Sequence, residues 1–454
     1  MLRVKKLAYT LALIFVYLFS MLAIVVMAAP TKENVWETMA PLPETRGGVR
    51  AAAANGKIYV MSGLRNFEYD PAINEWAPKT PMPTPRYWFA ITVYQNKIYT
   101  LGGRLGWTQE DGTVDSNANE VYDPATDTWQ ILSSMPTNIS DINANVVNGK
   151  IYMIGGVNHQ FPSLSMNEMY DVARDEWTNR TTMPYPVSSY ASAVVNNRIY
   201  IIGGFGLGNN QTQIYEPQTD SWSLGTPALT SVFHAAAGAT TGIMAPKRIY
   251  VIGGTTGEGG MFAVGTNLTQ VYDPENDAWT YREPMPTARL ALTVAVLNDQ
   301  IYAIAGNSQM VFSPYLNTNQ RYTPFEYGTP DPTYDGIAPE ITLKSPKNET
   351  YYSSSVNLQF TVNEQVSWIN YKLDNKTIDV SGDTTISGLS LGPHSLTLYA
   401  IDNSGNLGIS ETIYFNVEPF PIALVIASVI TVAVLVIGLV VYFKKRRHFT
   451  DPSV

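Results

Sequence analysis

The sequence predicts an all-β chain: a closed ring of six four-stranded sheets, followed by a small β-sandwich and one transmembrane helix. Three observations predict it. A segment of the form Ile-Tyr-x-x-x-Gly recurs at Ile58, Ile98, Ile151, Ile199, Ile249 and Ile301, at intervals of 40 to 53 residues. Gly (33) and Pro (29) are abundant, aromatics reach 11% and charged residues only 15%, a mixture suited to strands joined by tight turns. Near the end, Ile422–Phe443 carries no charge.

At the start of the chain, residues 1–28 hold Arg3, Lys5 and Lys6, an uncharged run Leu7–Met27 and the small Ala28, with Ala29 next. That layout is a secretory signal cut after Ala28. The run is also long enough to span a bilayer uncleaved, and both readings stay open. Either one carries the repeats out of the cytoplasm.

Residues 29–327 hold the repeats. In five of them a second marker follows, a Tyr with a Trp seven residues on: Tyr69/Trp76, Tyr122/Trp129, Tyr170/Trp177, Tyr215/Trp222 and Tyr272/Trp279. Between the two lie turn residues such as Asp70-Pro71 and Asp123-Pro124. The Ile-Tyr run suits a strand buried on both faces, and the glycines after it permit a sharp exit or a close backbone approach. The Trp anchors the returning strand. With no helix-period segment among the repeats, this pattern is that of a β-propeller. The sixth repeat has Tyr322 without its Trp, while Trp36 precedes the first repeat with none of its own. The strand around Trp36 is therefore expected to complete blade six and close the ring.

The double Gly, the Tyr and the Trp, so spaced, closely resemble the kelch repeat, over roughly two-thirds of the chain. Residues 328–339 are Pro-rich and read as a linker. Residues 340–418 alternate short strands with turns, as in a small sandwich. Their stretches VNLQFTVNEQVSWINYKLDN and LTLYAIDNSGNLG resemble the immunoglobulin-like modules of prokaryotic, particularly archaeal, surface proteins, with Trp368 as the expected core aromatic. Residues 422–443 are long enough to cross a hydrocarbon core of ~30 Å. Lys444, Lys445, Arg446 and Arg447 then hold the tail, residues 444–454, on the cytoplasmic side. The expected location is the cell membrane, single-pass with the ectodomain outside, or two-pass if the first segment is retained.

Composition excludes several classes of function. There is no cysteine, so disulfides, thiolate metal sites and cysteine nucleophiles are excluded. A net charge of −9 argues against nucleic acid as a partner. The four histidines are scattered without ligand spacing, and neither a metal nor a cofactor is expected.

Candidate binding residues come from the repeat frame. Twelve residues before the marker Ile stand Arg46, Arg86 and Arg289, in blades one, two and six. The same offset gives Ile139, Val187 and, across an insertion in blade five, Ala237. The kelch resemblance implies that this position starts the innermost strand and faces the channel mouth. Three arginines there would favour a carboxylate, sulfate or acidic peptide, with Tyr87, Trp88, Tyr190 and His234 lining the same mouth. The segment from the last Gly to the marker Tyr varies from 6 to 19 residues, which is how repeat proteins build a binding face. The longest insertion carries Trp107, Glu110, Asp111 and Asp115. Asn-x-Ser/Thr sequences at Asn138, Asn179, Asn210, Asn267, Asn348 and Asn375 permit glycosylation.

The kelch resemblance also bears on catalysis. Copper-radical oxidases of this kind need a Cys cross-linked to Tyr, which is absent here, and the Asp-boxes of sialidases are missing. Sialate mutarotases have few obligatory residues. The expected function is recognition of a protein or glycan, with a mutarotase-type carbohydrate enzyme as the alternative.

Overall fold

A computed structural model describes residues 32–45, 47–108, 112–256, 263–310, 314–331, 338–374, 376–402, 406–420 and 422–448. The expected signal segment 1–28 lies outside the described residues. The chain divides into two units, Met1–Asp335 and Gly336–Val454.

The first unit contains six four-stranded antiparallel sheets among its described residues. In blade one they are Arg50–Ala54, Lys57–Ser62, Arg65–Asp70 and Glu75–Pro78, ordered from the inside outward. The second strand of each blade is the Ile-Tyr run. It is buried on both faces because neighbouring blades cover both, so it does not alternate. The inner strands Arg50–Ala54, Ala90–Tyr94, Ala144–Val147, Ala191–Val195, Ala236–Ala239 and Thr293–Leu297 succeed one another around a closed ring. Blade six joins the two ends of the unit: Val35–Thr38 pairs with Asn319–Thr323, Trp36 lying opposite Tyr322.

The marker pair rivets blade to blade. In each blade the Tyr on the third strand lies opposite the Trp on the fourth, for example Tyr69 with Trp76, ring centroids 4.8 Å apart. The pairs Tyr170/Trp177, Tyr215/Trp222 and Tyr272/Trp279 repeat this at 5.0, 4.9 and 5.0 Å. The Trp indole donates to a carbonyl of the preceding blade, as Trp129 does to Thr80 at 2.9 Å. Trp177, Trp222 and Trp279 donate likewise to Ser133, Thr181 and Thr226, at 2.9, 3.0 and 2.9 Å. The Tyr hydroxyl donates to an acidic or amide side chain five residues on, as Tyr122 does to Asp127 at 2.6 Å. That same Asp127 oxygen also accepts the Thr80 backbone N–H at 2.9 Å. In blade six Trp36 and Asn34 take these roles.

These tryptophans differ from their tyrosines in burial. Tyr170, Tyr215 and Tyr272 are fully enclosed, whereas Trp177 and Trp222 stay partly exposed. Trp279 is buried, only 8% exposed. The reason is position: the fourth strand is the outermost, so one face of its indole meets solvent. Trp177 and Trp222 thus anchor the returning strand from the rim, while Trp279 also joins the core.

The double Gly marks the seam between blades. A Cβ on Gly203, whose φ is +64°, would stand 2.5 Å from the carbonyl oxygen of Val232 in the next blade. The following Gly204 donates its N–H to that same oxygen at 2.9 Å. Only glycine allows this approach.

The second unit holds a sheet of Ile341–Ser345, Val356–Val362 and Thr384–Ile386, and another built on Gly392–Asp402. Leu358, Leu396, Leu398, Tyr371 and Phe415 form its core. Trp368 is not the core aromatic. A register shift between Val366 and Trp368 interrupts the inward alternation, and the indole donates to Asp379 near the surface at 3.1 Å. Beyond lies the helix Ile422–His448. Among the described residues no helix is long and apolar enough to cross a membrane. The helix side chains are described only over residues 430–443, so the uncharged run Ile422–Phe443 extends past them.

Candidate functional site

Arg86 and Arg289 are not at the channel mouth. Both are wholly buried. Arg86 pairs with Glu120 at 2.7 Å and donates to the Gly102 and Ala118 carbonyls at 2.7 and 2.9 Å. Arg289 donates to the Ala305 carbonyl at 2.9 Å and to the Gln320 side chain at 2.8 Å. Burial pushes the Arg289 guanidinium down to about 9. It lowers Arg86 as well, against the pull of Glu120. The physical reason is the seam: this repeat position packs beneath the double Gly of the preceding blade, where Ile139, Val187 and Val232 are also buried. Val232, not Ala237, is therefore the blade-five equivalent, because the insertion falls after it. Arg46 lies outside the described residues. Tyr87 packs its ring on Gly63 and lines neither axial cavity.

The mouth begins two residues later. Gly48, Trp88, Asp141, Ser189, His234 and Ala291 occupy one repeat position, and all six have left-handed φ, between 51° and 63°. They form a girdle of backbone hydrogen bonds across the axis. Asp141 N–H donates to Trp88, His234 to Ser189 and Ala291 to His234, at 2.8 to 2.9 Å, and Trp88 to Gly48 and Ser189 to Asp141 at 3.4 Å. The left-handed residue turns the chain, so the side chain that reaches the axis is this one and not its neighbour two residues earlier.

The girdle separates two cavities. Outside it, a vestibule of about 300 Å³ is walled by Arg104, Phe205 and Met310, from the segments between second and third strands, and by Trp88 and Phe233, from the loops that lead into the inner strands. Inside, a channel cavity of about 170 Å³ is lined by the inner strands, with Arg50, Asp141, Asn143, Tyr190, Ser192 and Thr293 as its polar groups. Trp88, Asp141, Ser189 and His234 line both. Trp88 and His234 thus stand at the girdle between the two cavities, whereas Tyr190 lines the inner one alone. Asp141 and Ser189 share the girdle and Arg50 the inner cavity; they can be found by counting eight residues back from the marker Ile for Arg50 and ten for the other two. The tryptophans of the marker pairs, Trp177, Trp222 and Trp279 among them, line neither cavity; they are scaffold at the rim.

The electrostatics are local. Arg50 Nη2 lies 3.9 Å from Asp141 Oδ1, and its guanidinium sits 5.5 Å above the Trp88 ring. Asp141 Oδ2 accepts the Ser189 hydroxyl. The His234 ring packs at a tilt against Trp88 (5.8 Å) and Phe233 (5.6 Å). Burial lowers the pKa of its imidazole, Asp141 opposing and Arg50 reinforcing. Tyr190 donates its hydroxyl to the Ile154 carbonyl, and burial raises its pKa. In the long insertion, Arg104 meets buried Asp115 at 3.7 Å and donates to Ser140 at 3.2 Å. Glu110 and Asp111 lie outside the described residues. Asn138, Asn179, Asn210, Asn267 and Asn348 all reach solvent at least in part, and Asn375 lies outside the described residues.

A girdle of six blades riveted by Tyr–Trp pairs defines a propeller built from repeats, and similarity to known proteins names the repeat. Residues 105–307 match the KLHDC2/KLHL20/DRC7 Kelch-repeats domain. These residues carry kelch repeats. The chain is 27% identical over 302 residues to Kelch-like protein 23 of Homo sapiens, covering 64% of this chain and 42% of that protein. It is 33% identical over 135 residues to Kelch-like protein 26 of Danio rerio (28% and 22%). With the F-box/kelch-repeat protein At1g67480 of Arabidopsis thaliana it shares 30% identity over 157 residues (30% and 40%). The chain thus spans less than half the length of these relatives. The solved structure of YjhT shares the fold, with a TM-score of 0.55 at 17% identity over 62% of this chain and 96% of that one.

Proposed function

We propose that the chain is a membrane-anchored surface protein whose kelch propeller recognises a protein or glycan ligand at the vestibule. The observation that carries this reading is the vestibule's placement. Its walls combine the variable loops, with Phe205, and the inter-blade loops of the same face, with Trp88 and Phe233, and both ends of the propeller leave from the opposite face. That follows from the pairing of Val35 with Thr323: the outer strand of blade six starts, and its third strand finishes, away from the girdle.

Kelch propellers are protein-interaction folds, which supports a protein partner. The uncharged Ile422–Phe443 run and the basic cluster after it support a bilayer anchor with a cytoplasmic tail. In this reading residues 340–418 are an immunoglobulin-like stalk. An enzyme of mutarotase type calls for an acid/base pair at the mouth; the packing of His234 against the tilted rings of Trp88 and Phe233 favours binding instead.

The test is a glycan and peptide array probed with the full chain in detergent micelles. Ligands should emerge whose binding falls about ten-fold in the Phe205→Ala/Phe233→Ala double variant, a loss typical of aromatic anchors. Binding indifferent to both rings overturns the vestibule. External protease applied to intact cells should remove the propeller and spare the tail; a protected propeller overturns the orientation.

A further inference from the structure

The channel cavity beneath the girdle holds one cation and one anion that face each other without completing their contact. Arg50 comes from the inner strand of blade one and Asp141 from the girdle in blade three. Their nearest atoms are 3.9 Å apart, beyond hydrogen-bond distance, although both side chains are largely buried (12% and 16% exposed). Among the described residues Arg50 Nη1 donates only to the neighbouring Val49 carbonyl, at 3.1 Å. Arg50 Nε is buried with no hydrogen-bond partner among the described residues. The Nε/Nη2 edge is the one that takes a carboxylate side-on, and no described side chain occupies it. On the Asp141 carboxylate, the Ser189 hydroxyl holds Oδ2 and leaves Oδ1 turned toward Arg50.

Charge decides what fits. A bare anion on Arg50 would meet Asp141, and a bare cation on Asp141 would meet Arg50; in a low-dielectric pocket either repulsion is costly. A molecule carrying both charges on adjoining atoms satisfies both residues. The rest of the wall mixes the polar Asn143, Ser192 and Thr293 with Ala51, Ile91, Ala144, Ala237 and Val294 and, among the described residues, adds no further carboxylate, Lys or Arg, so a short uncharged remainder fits a volume of about 170 Å³.

We propose that this cavity binds a small zwitterionic amino acid, its carboxylate side-on to Arg50 Nε and Nη2 and its ammonium on Asp141 Oδ1. The site lies across the girdle from the vestibule, shares Asp141 with it and does not depend on recognition there. Isothermal calorimetry on the full chain tests it with L-alanine, acetate and ethylamine as probes. Alanine should bind saturably, with acetate and ethylamine each at least about ten-fold weaker, the loss expected for one missing charge-assisted contact. Arg50→Gln should weaken alanine by about the same factor. Should Arg50→Gln fail to fold by circular dichroism, Ala237→Leu, which fills the cavity and leaves both charges in place, should abolish the binding instead. The Phe205→Ala/Phe233→Ala variant should bind alanine like the parent. Absence of saturable binding, acetate binding as tightly as alanine, or alanine binding indifferent to the folded Arg50 or Ala237 variant overturns the proposal.

Discussion

The indole of Trp36 donates to the Glu283 carbonyl at 2.9 Å, joining residues 247 positions apart. Its ring lies 5.0 Å from that of Tyr322, the geometry of the five Tyr–Trp pairs elsewhere. The first strand of the propeller is thus held by the last blade, and the ring has no free seam.

Closure should be measurable as stability. Trp36→Ala removes one aromatic contact and one indole hydrogen bond from a half-buried site, a loss of about 2 kcal/mol. The midpoint of the whole first unit in calorimetry should fall by several degrees. If the midpoint holds and only the terminal strand frays, the ring does not depend on this joint.

Arg86 and Glu120 should behave as a buried pair. Arg86→Met alone strands a carboxylate that is about 1% exposed, at a cost of about 3–5 kcal/mol. Adding Glu120→Gln should recover most of it, since blades four to six place Gln213, Gln270 and Gln320 at the Glu120 position. Denaturant midpoints of the three variants decide the matter; equal losses in single and double variants would mean that charge is not the cause.

Glu168 occupies that position in blade three, where Ile139 stands in place of an arginine. Thr137 donates to one carboxylate oxygen at 2.5 Å, and the other is buried and unsatisfied. Burial raises its pKa, only partly offset by Thr137. A carboxyl whose folded pKa is raised loses stability as pH climbs from the unfolded value, about 4.3, through the folded one. Glu168→Gln should therefore stabilise the propeller by about 1 kcal/mol at pH 7 and flatten that part of the pH profile. A less stable Gln variant contradicts this.

In the second unit His394 contacts Asp374 and the Ser390 carbonyl, both at 2.9 Å. Burial alone would lower its pKa, but the carbonyl and the carboxylate outweigh burial and raise it. The stability it adds is complete below about 6.5 and is lost as pH rises through the higher folded value. Melting of this unit followed over about pH 5 to 8 should show a decline that His394→Gln removes. A profile identical in both proteins would exclude the ion pair as its source.

The blades were legible because their rivets are side chains that only a few residue types supply: Tyr122, Trp129 and the turn acid Asp127 can be read at fixed spacing. The mouth was less so. Trp88, Tyr190 and His234 were within reach of the repeat frame, but Arg86 and Arg289 were drawn in by residue type, since a guanidinium reads as a solvent-facing group. A left-handed residue two places on reverses which side chain meets the axis, and no simple alternation reveals it. In blade five the insertion after Ala239 hid the register of Val232. Trp368 failed for a similar reason, a bulge that breaks a period of two.

The girdle has a consequence for how such a protein can diversify. Its six residues are fixed by what their main chains do, each giving an N–H to the next carbonyl or taking one, in a conformation that costs an ordinary residue about 1–2 kcal/mol. Nothing in that arrangement names a side chain, and the six present are Gly, Trp, Asp, Ser, His and Ala. Cross-links along the chain carry the architecture, while the chemistry displayed on the axis can be exchanged one blade at a time. Specificity here is a set of six nearly independent settings on an unchanging frame.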